Sequence, residues 1–83
     1  MEKLYAKFMF PNSGSERDQK LVKKENLKVG ERYLVKRVEM GGYYTSISLD
    51  GFELPFNSVH FEFEEENGTT VNIYRDSRYN PYM

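Results

Sequence analysis

LKVGERYLVKRVEMGGYYTSISLDGFELPFNSVHFEF, residues 27–63, is the stretch on which the fold turns. Its middle alternates: Tyr43, Thr45, Ile47 and Leu49 take one parity and Tyr44, Ser46 and Ser48 the other, the period-two pattern of a strand with one buried face. Upstream, Tyr33 and Val35 share one parity while Val38 and Met40 share the opposite one. That change of phase predicts a bulge near Lys36-Arg37, where an extra residue bends a strand and helps a sheet to curl. Gly41-Gly42 reads as a two-residue hairpin turn, because primed turns need positive φ and glycine supplies it without steric cost. Asp50-Gly51 is a second turn signal, followed by Phe52, Leu54 and Phe56 on one face, with Pro55 marking an edge or strand end. Asn57-Ser58 caps a short 3₁₀ turn through Val59 and His60, after which Phe61 and Phe63 point inward and Glu62 and Glu64 outward.

Outward from this stretch the same reading continues. Lys3 to Phe10 alternates, with Leu4, Ala6, Phe8 and Phe10 against Tyr5, Lys7 and Met9, and reads as a strand. Pro11-Asn12-Ser13-Gly14-Ser15 stops it. Residues 16–20 contain no apolar member, so 11–20 is expected to be an exposed loop, with Leu21-Val22 a short strand beyond it. On the other side, Asn67-Gly68 is a third turn, Thr69 to Tyr74 returns as a strand with Val71 and Ile73 on one side, and 75–83 is a polar and aromatic tail. That tail either folds its rings over an open end of the sheet, the reading favoured by a small core, or presents Tyr79-Asn80-Pro81-Tyr82 to a partner. Short strands between short turns, with no segment of helical period, give an all-β fold class: a small SH3-like barrel or a strongly curled five- to six-stranded antiparallel meander.

Length and composition bound the rest. Residues 1–83 have room for one small domain and one core. There is no cysteine, so neither a disulfide nor a thiolate zinc site can supplement that core, and seven tyrosines with six phenylalanines supply its bulk. Glu2 and Lys7 interrupt the apolar residues of the first ten positions, which reads against a signal peptide, and no segment has membrane-spanning length. The expectation is a soluble cytoplasmic protein without membrane contact. The formal charge of −1 hides an asymmetry: residues 1–40 carry ten Lys/Arg against six Asp/Glu, residues 41–83 two Arg against seven Asp/Glu. In a folded sheet these halves interleave, giving mixed charge rather than a basic face.

The order Leu27-x-Val29-Gly30-x-x-Tyr33-x-Val35, then Gly41-Gly42-Tyr43-Tyr44-Thr45-x-Ile47-x-Leu49, then Phe56-Asn57-Ser58-Val59-x-Phe61, resembles small phage- and prophage-type proteins of Gram-positive bacteria with an SH3-like barrel pattern. The resemblance covers about residues 27–63 and consists of turn formers and core formers. It therefore implies a fold and a mobile-element setting, and brings no catalytic residues with it.

No convergent chemistry emerges. His60 is the only histidine, and a surface or edge role is expected for it; Ser58 lies near it in sequence without the orienting carboxylate that nucleophilic catalysis needs. Glu62-x-Glu64-Glu65-Glu66 lacks the Asp/Asn/Gly pattern of a calcium loop and reads as a solvated acidic edge. No catalytic residue, metal or cofactor is assigned. What carries functional pull is tyrosine interleaved with basic residues: Tyr5, Lys7, Lys36, Arg37, Tyr44, Arg75, Arg78, Tyr79 and Tyr82. Exposed tyrosine suits protein contacts, offering area and a polar tip at low entropic cost. It also suits stacking of single-stranded nucleic acid, though a pI near 5.8 gives no electrostatic footprint for it. The sequence thus points to a non-enzymatic binding module with a protein partner, an accessory acting on a host factor; the alternative is a weak single-stranded nucleic-acid binder. An incompletely closed barrel also leaves an edge strand through which a homodimer can form.

Overall fold

A computed structural model describes residues 3–82; Met1, Glu2 and Met83 lie outside the described residues, and with them part of the leader reading and the last residue of the expected tail. The strands are β1 (Leu4–Phe8), β2 (Arg32–Met40), β3 (Thr45–Leu49), β4 (Phe56–Asn57), β5 (Phe61–Glu65) and β6 (Thr70–Val71), and one helix, α1 (Glu16–Lys24), lies between β1 and β2. All pairings are antiparallel, in the order β4-β3-β2-β1-β5-β6. The expected all-β architecture is present in its open, six-stranded form. The barrel is corrected: β4 and β6, two residues each, end the sheet without pairing to one another. In one place the order departs from a plain meander. After β4 the chain crosses to β1, so that Leu4 faces Glu65 and Phe8 faces Phe61 in register.

Local signals account for most of this frame. The register of β2 against β3 slips between Val35 and Arg37, the bulge that the change of side-chain phase predicts. Arg32–Leu34 of β2 pair with β1, while Val35 and Arg37–Met40 pair with β3, so one bent strand carries both halves of the sheet. Gly51 at φ +89° turns the chain after β3, and Gly68 at φ +90° closes the Asn67-Gly68 turn; both conformations favour glycine. Asn57 accepts the Val59 N–H at 3.1 Å and starts the expected 3₁₀ turn at Ser58–His60. A second 3₁₀ turn, Ile73–Arg75, follows β6.

Three expectations about individual turns and segments are revised. The Gly41-Gly42 turn is wider than a two-residue hairpin: neither glycine has positive φ, the Gly41 N–H donates to Tyr44 O, and Thr45 is the first residue of β3. Tyr43 therefore sits in the loop, fully exposed, while Thr45, Ile47 and Leu49 keep the buried face. Residues 50–55 form a loop rather than a strand, so alternation does not govern them: Phe56 is buried, Phe52 half-buried and Leu54 exposed. The third revision is α1, where a loop and a short strand were expected. Ser15 caps it, accepting the Asp18 N–H while the Asp18 carboxylate accepts the Ser15 N–H, a capping box. At the other end Leu27 N–H donates to Val22 O and Asn26 N–H to Lys23 O, with Asn26 at φ +58°, the Schellman arrangement. Glu16 and Asp18 in the first turn and Lys23 and Lys24 in the last oppose the helix dipole.

The core lies on one face of the curled sheet. Leu4, Ala6 and Phe8 of β1, Ile47 and Leu49 of β3, Phe56, Phe61 and Phe63, and Val71 and Ile73 form one cluster, joined by Val22 from the helix. Edge-to-face ring contacts run from Tyr33 to Phe52 to Phe56 to Phe61, at centroid separations of 5.8, 5.5 and 6.4 Å. His60 departs from its expected surface position: it is wholly buried, tilted against Phe8 and edge-on to Phe61, because the 3₁₀ turn swings it inward. The tail packs back. Tyr79 lies against the core, the Asn80 amide donates to Tyr74 O at 2.7 Å, and the Tyr82 hydroxyl reaches Met40 O at 3.5 Å.

Candidate protein-binding site

Two loops and one helix face build a cleft. The helix is short, and its residues divide by spacing. Val22 is the one it buries, and Asp18, one turn earlier, points the same way, its carboxylate accepting the Asn57 amide at 3.1 Å. The neighbouring stripe, Arg17, Lys20, Leu21 and Lys24, follows the i, i+3, i+4, i+7 spacing of one helix face. That stripe forms one wall of a cleft of about 630 Å³. Opposite it stand Tyr44 from the β2–β3 loop and Leu54 and Pro55 from the loop before β4, with Phe56 at the floor. One end is polar, formed by Ser15, Asp18 and Asn57.

At that polar end the Asp18 carboxylate accepts three hydrogen bonds. Burial works to raise its pKa. The Ser15 N–H, the Asn57 amide and the Ser15 hydroxyl all donate to it, and together they hold the carboxyl below its ordinary value. The network ties the start of α1 to the 3₁₀ turn, so the cleft's two walls are held at a fixed spacing.

The apolar side chains at the mouth and in the adjoining loop are unusually bare. Tyr43 is 102% exposed, Tyr44 58% and Leu54 51%. Tyr44 borders both the cleft and a shallower depression along the loop, lined by Glu39, Met40 and Tyr43. Tyr82, 78% exposed, reaches the rim of that depression through its contact with Met40.

The nine residues singled out in the sequence do not form one patch. Tyr44 is at the cleft and Tyr82 beside the hairpin. Tyr5 and Lys7 lie on the outer face of β1. There the Arg32 guanidinium covers the Tyr5 ring at 4.4 Å and binds Glu64 at 2.8 Å, while Lys7 faces Arg32 and Glu62 in register. Lys36 and Arg37 are exposed at the bulge, Arg37 paired with Glu39 at 3.0 Å. Arg75 is exposed in the second 3₁₀ turn. Arg78 is bound by Asp76 and Glu65 and stacks over Tyr79, whose ring belongs to the core margin. Sequence reasoning missed Arg17, Lys20, Leu21, Lys24, Tyr43 and Leu54. For the first four the Ser15-x-x-Asp18 capping box was the available signal, since a helix start fixes which residues share a face.

Elsewhere the acidic run is partly neutralised by Arg32 and Arg78, and among the described residues no three His, Asp or Glu side chains group as metal ligands. The Ser58 hydroxyl is hydrogen-bonded to the Tyr74 hydroxyl, not to His60, whose Nδ1 lies 2.8 Å from Phe10 O. Among the described residues no helix is long and apolar enough to cross a membrane.

The model of one protein family, described as Bacteriophage T4 protein Y07B, matches residues 3–83, nearly the whole chain. The chain belongs to that family. The phage character implied by the resemblance over residues 27–63 is thereby shown, and extended from those turn and core residues to the helix and the tail. No curated protein and no solved structure matches the chain.

Proposed function

We propose that this member of the phage family is a non-enzymatic binding module whose partner is a protein, an accessory acting on a host factor. The observation that carries the reading is the exposure of Tyr44 and Leu54 at the mouth of the cleft, with Tyr43 bare beside them in the depression that adjoins it. A small domain that can bury aromatic rings gains by doing so, and rings left bare beside a formed concavity are the usual anchors of a protein interface. Their surroundings are of mixed sign, with Arg37 and Glu39 along the hairpin and Asp18 within the cleft, which suits a protein rim. An edge-paired homodimer draws less support, since β4 and β6 offer only two residues of ladder each.

A second reading has one observation of its own. Tyr44 lines the same cleft as Arg17, Lys20 and Lys24, and a ring beside cations is how a base of single-stranded nucleic acid is stacked and its phosphate held. Capture from nuclease-treated bacterial lysate separates the two. The protein-binding reading expects a stoichiometric protein retained after nuclease treatment and lost when Tyr43, Tyr44 and Leu54 are replaced by serine. Capture that disappears with the nuclease, or that ignores the three substitutions, refutes it.

A further inference from the structure

We propose that the cleft between α1 and β4 binds an acidic linear segment of the partner protein, with its carboxylates on Arg17, Lys20 and Lys24 and an apolar side chain seated between Leu21 and Leu54. The inference rests on the protein-binding reading and specifies the chemistry of its partner. Charge complementarity selects the occupant. The cleft lining holds three cations and one anion, Asp18, and that carboxylate is already committed to Ser15 and Asn57. Among the described residues neither Arg17 nor Lys24 is paired with a carboxylate. Lys20 meets Glu16 at 3.4 Å, with both side chains more than three-quarters exposed, a contact that a ligand's carboxylate can exchange at little cost. A chain of net charge −1 thus presents, along one helix face, three cations of which only Lys20 has a carboxylate partner, an exposed one, beside an apolar wall.

Shape and rigidity agree with a peptide. A volume of about 630 Å³ falls within the range of clefts that enclose a ligand, roughly 300–1,000 Å³, and accommodates a few side chains rather than a flat surface contact. The helix carrying the cations is fixed to the sheet by Val22 and by the Asp18–Asn57 hydrogen bond, so little order has to be imposed on binding. A polynucleotide is the poorer occupant. Its phosphates need cations along a track, whereas the wall facing the helix is Tyr44, Leu54 and Pro55, with no cation.

Selection from a library of random linear peptides displayed on particles, panned against the full chain at low salt, tests this. The probe for the second arm is an oligothymidylate. The expected result is enrichment of peptides rich in Asp/Glu with an aromatic or branched aliphatic residue. Their affinity should fall at least about tenfold in the variant Arg17→Gln/Lys20→Gln/Lys24→Gln, and fall again with added salt. The glutamine variant keeps helix-forming side chains, and an unchanged melting curve verifies its fold; Arg17→Glu/Lys20→Glu/Lys24→Glu should weaken the same peptides further. Enrichment of peptides without acidic residues, or of peptides indifferent to both variants, overturns the inference. If those peptides lose affinity on Tyr43→Ser/Tyr44→Ser, the protein-binding reading itself survives. Failure to enrich any peptide, with oligothymidylate bound and then lost in the glutamine variant, overturns both.

Discussion

Leucine in place of His60 makes a test of how the aromatic core is held. The imidazole is 0% exposed, its Nδ1 lies 2.8 Å from Phe10 O, and its Nε2 has no hydrogen-bond partner among the described residues. With the acceptor on Nδ1, that nitrogen carries the proton and Nε2 is a buried acceptor left unmet. Leucine has nearly the volume of histidine and no polar atom. The substitution forfeits the Nδ1–H bond, about 1 kcal/mol, but Phe10 O is not orphaned, because it also accepts the Ser13 N–H at 3.3 Å. It forfeits the ring contacts with Phe8 and Phe61, about another 1 kcal/mol. Against this stands relief of an unmet buried acceptor, about 1–3 kcal/mol. The net change for His60→Leu should lie within about 1 kcal/mol of zero, whereas His60→Ala, which opens a cavity among rings, should cost about 2–4 kcal/mol. In a domain of this size that separates the two variants by roughly 10 °C or more in melting temperature. Urea and thermal unfolding followed by circular dichroism read both values. A leucine variant losing more than about 2 kcal/mol, close to the alanine variant, would refute the reasoning and show that Nε2 holds a polar partner.

Asp18 gives a pH dependence. Its carboxyl is held below the ordinary 3.8 in the folded protein, so it adds stability above that value, and the contribution is lost as pH falls through the depressed one. Unfolding midpoints measured from neutral pH down into this acid range should therefore drop less steeply in Asp18→Asn than in the parent. Gly14→Ala should cost about 2 kcal/mol in chemical denaturation: φ is +80°, and a Cβ there would stand 2.9 Å from Asp18 Oδ2 and 3.2 Å from Val59 Cγ2. Gly68→Ala, with φ +90° and open space around the position, should cost only about 1 kcal/mol in the same assay. Truncation after Asp76 removes Tyr79 from the core margin and should lower the melting temperature by several degrees, for a loss of about 1–2 kcal/mol; an unchanged melt would mean that the ring contributes no packing.

How far the residues announce this fold depends on the range over which each signal acts. The bulge between Val35 and Arg37, the turns at Gly51 and Gly68, the Asn57 cap and the buried faces Thr45-Ile47-Leu49 and Phe61-Phe63 are legible because each is fixed by a few neighbours in the chain. The helix is not legible from periodicity, since nine residues with one buried member leave no apolar stripe to detect; only its ends are written, at Ser15-x-x-Asp18 and at Asn26. The position of Tyr43 is not legible because a glycine pair signals a tight turn whereas the loop runs on to Tyr44, and that of Leu54 because alternation has no hold on a loop. The cleft was hidden for a deeper reason. Its walls come from residues 15–24 and 44–57, brought together by Val22 and the Asp18–Asn57 bond, and no local pattern encodes that meeting.

The placing of β1 between β2 and β5 governs how the molecule comes to be made. Leu4 cannot complete its ladder until Glu65 is available, some sixty residues later, so the innermost strand waits for nearly the last one. Closing so wide a loop costs entropy before any contact across it repays the loss, and pairing at such sequence separation slows folding. During synthesis, β1 leaves the ribosome well before β5, the strand that covers its second edge.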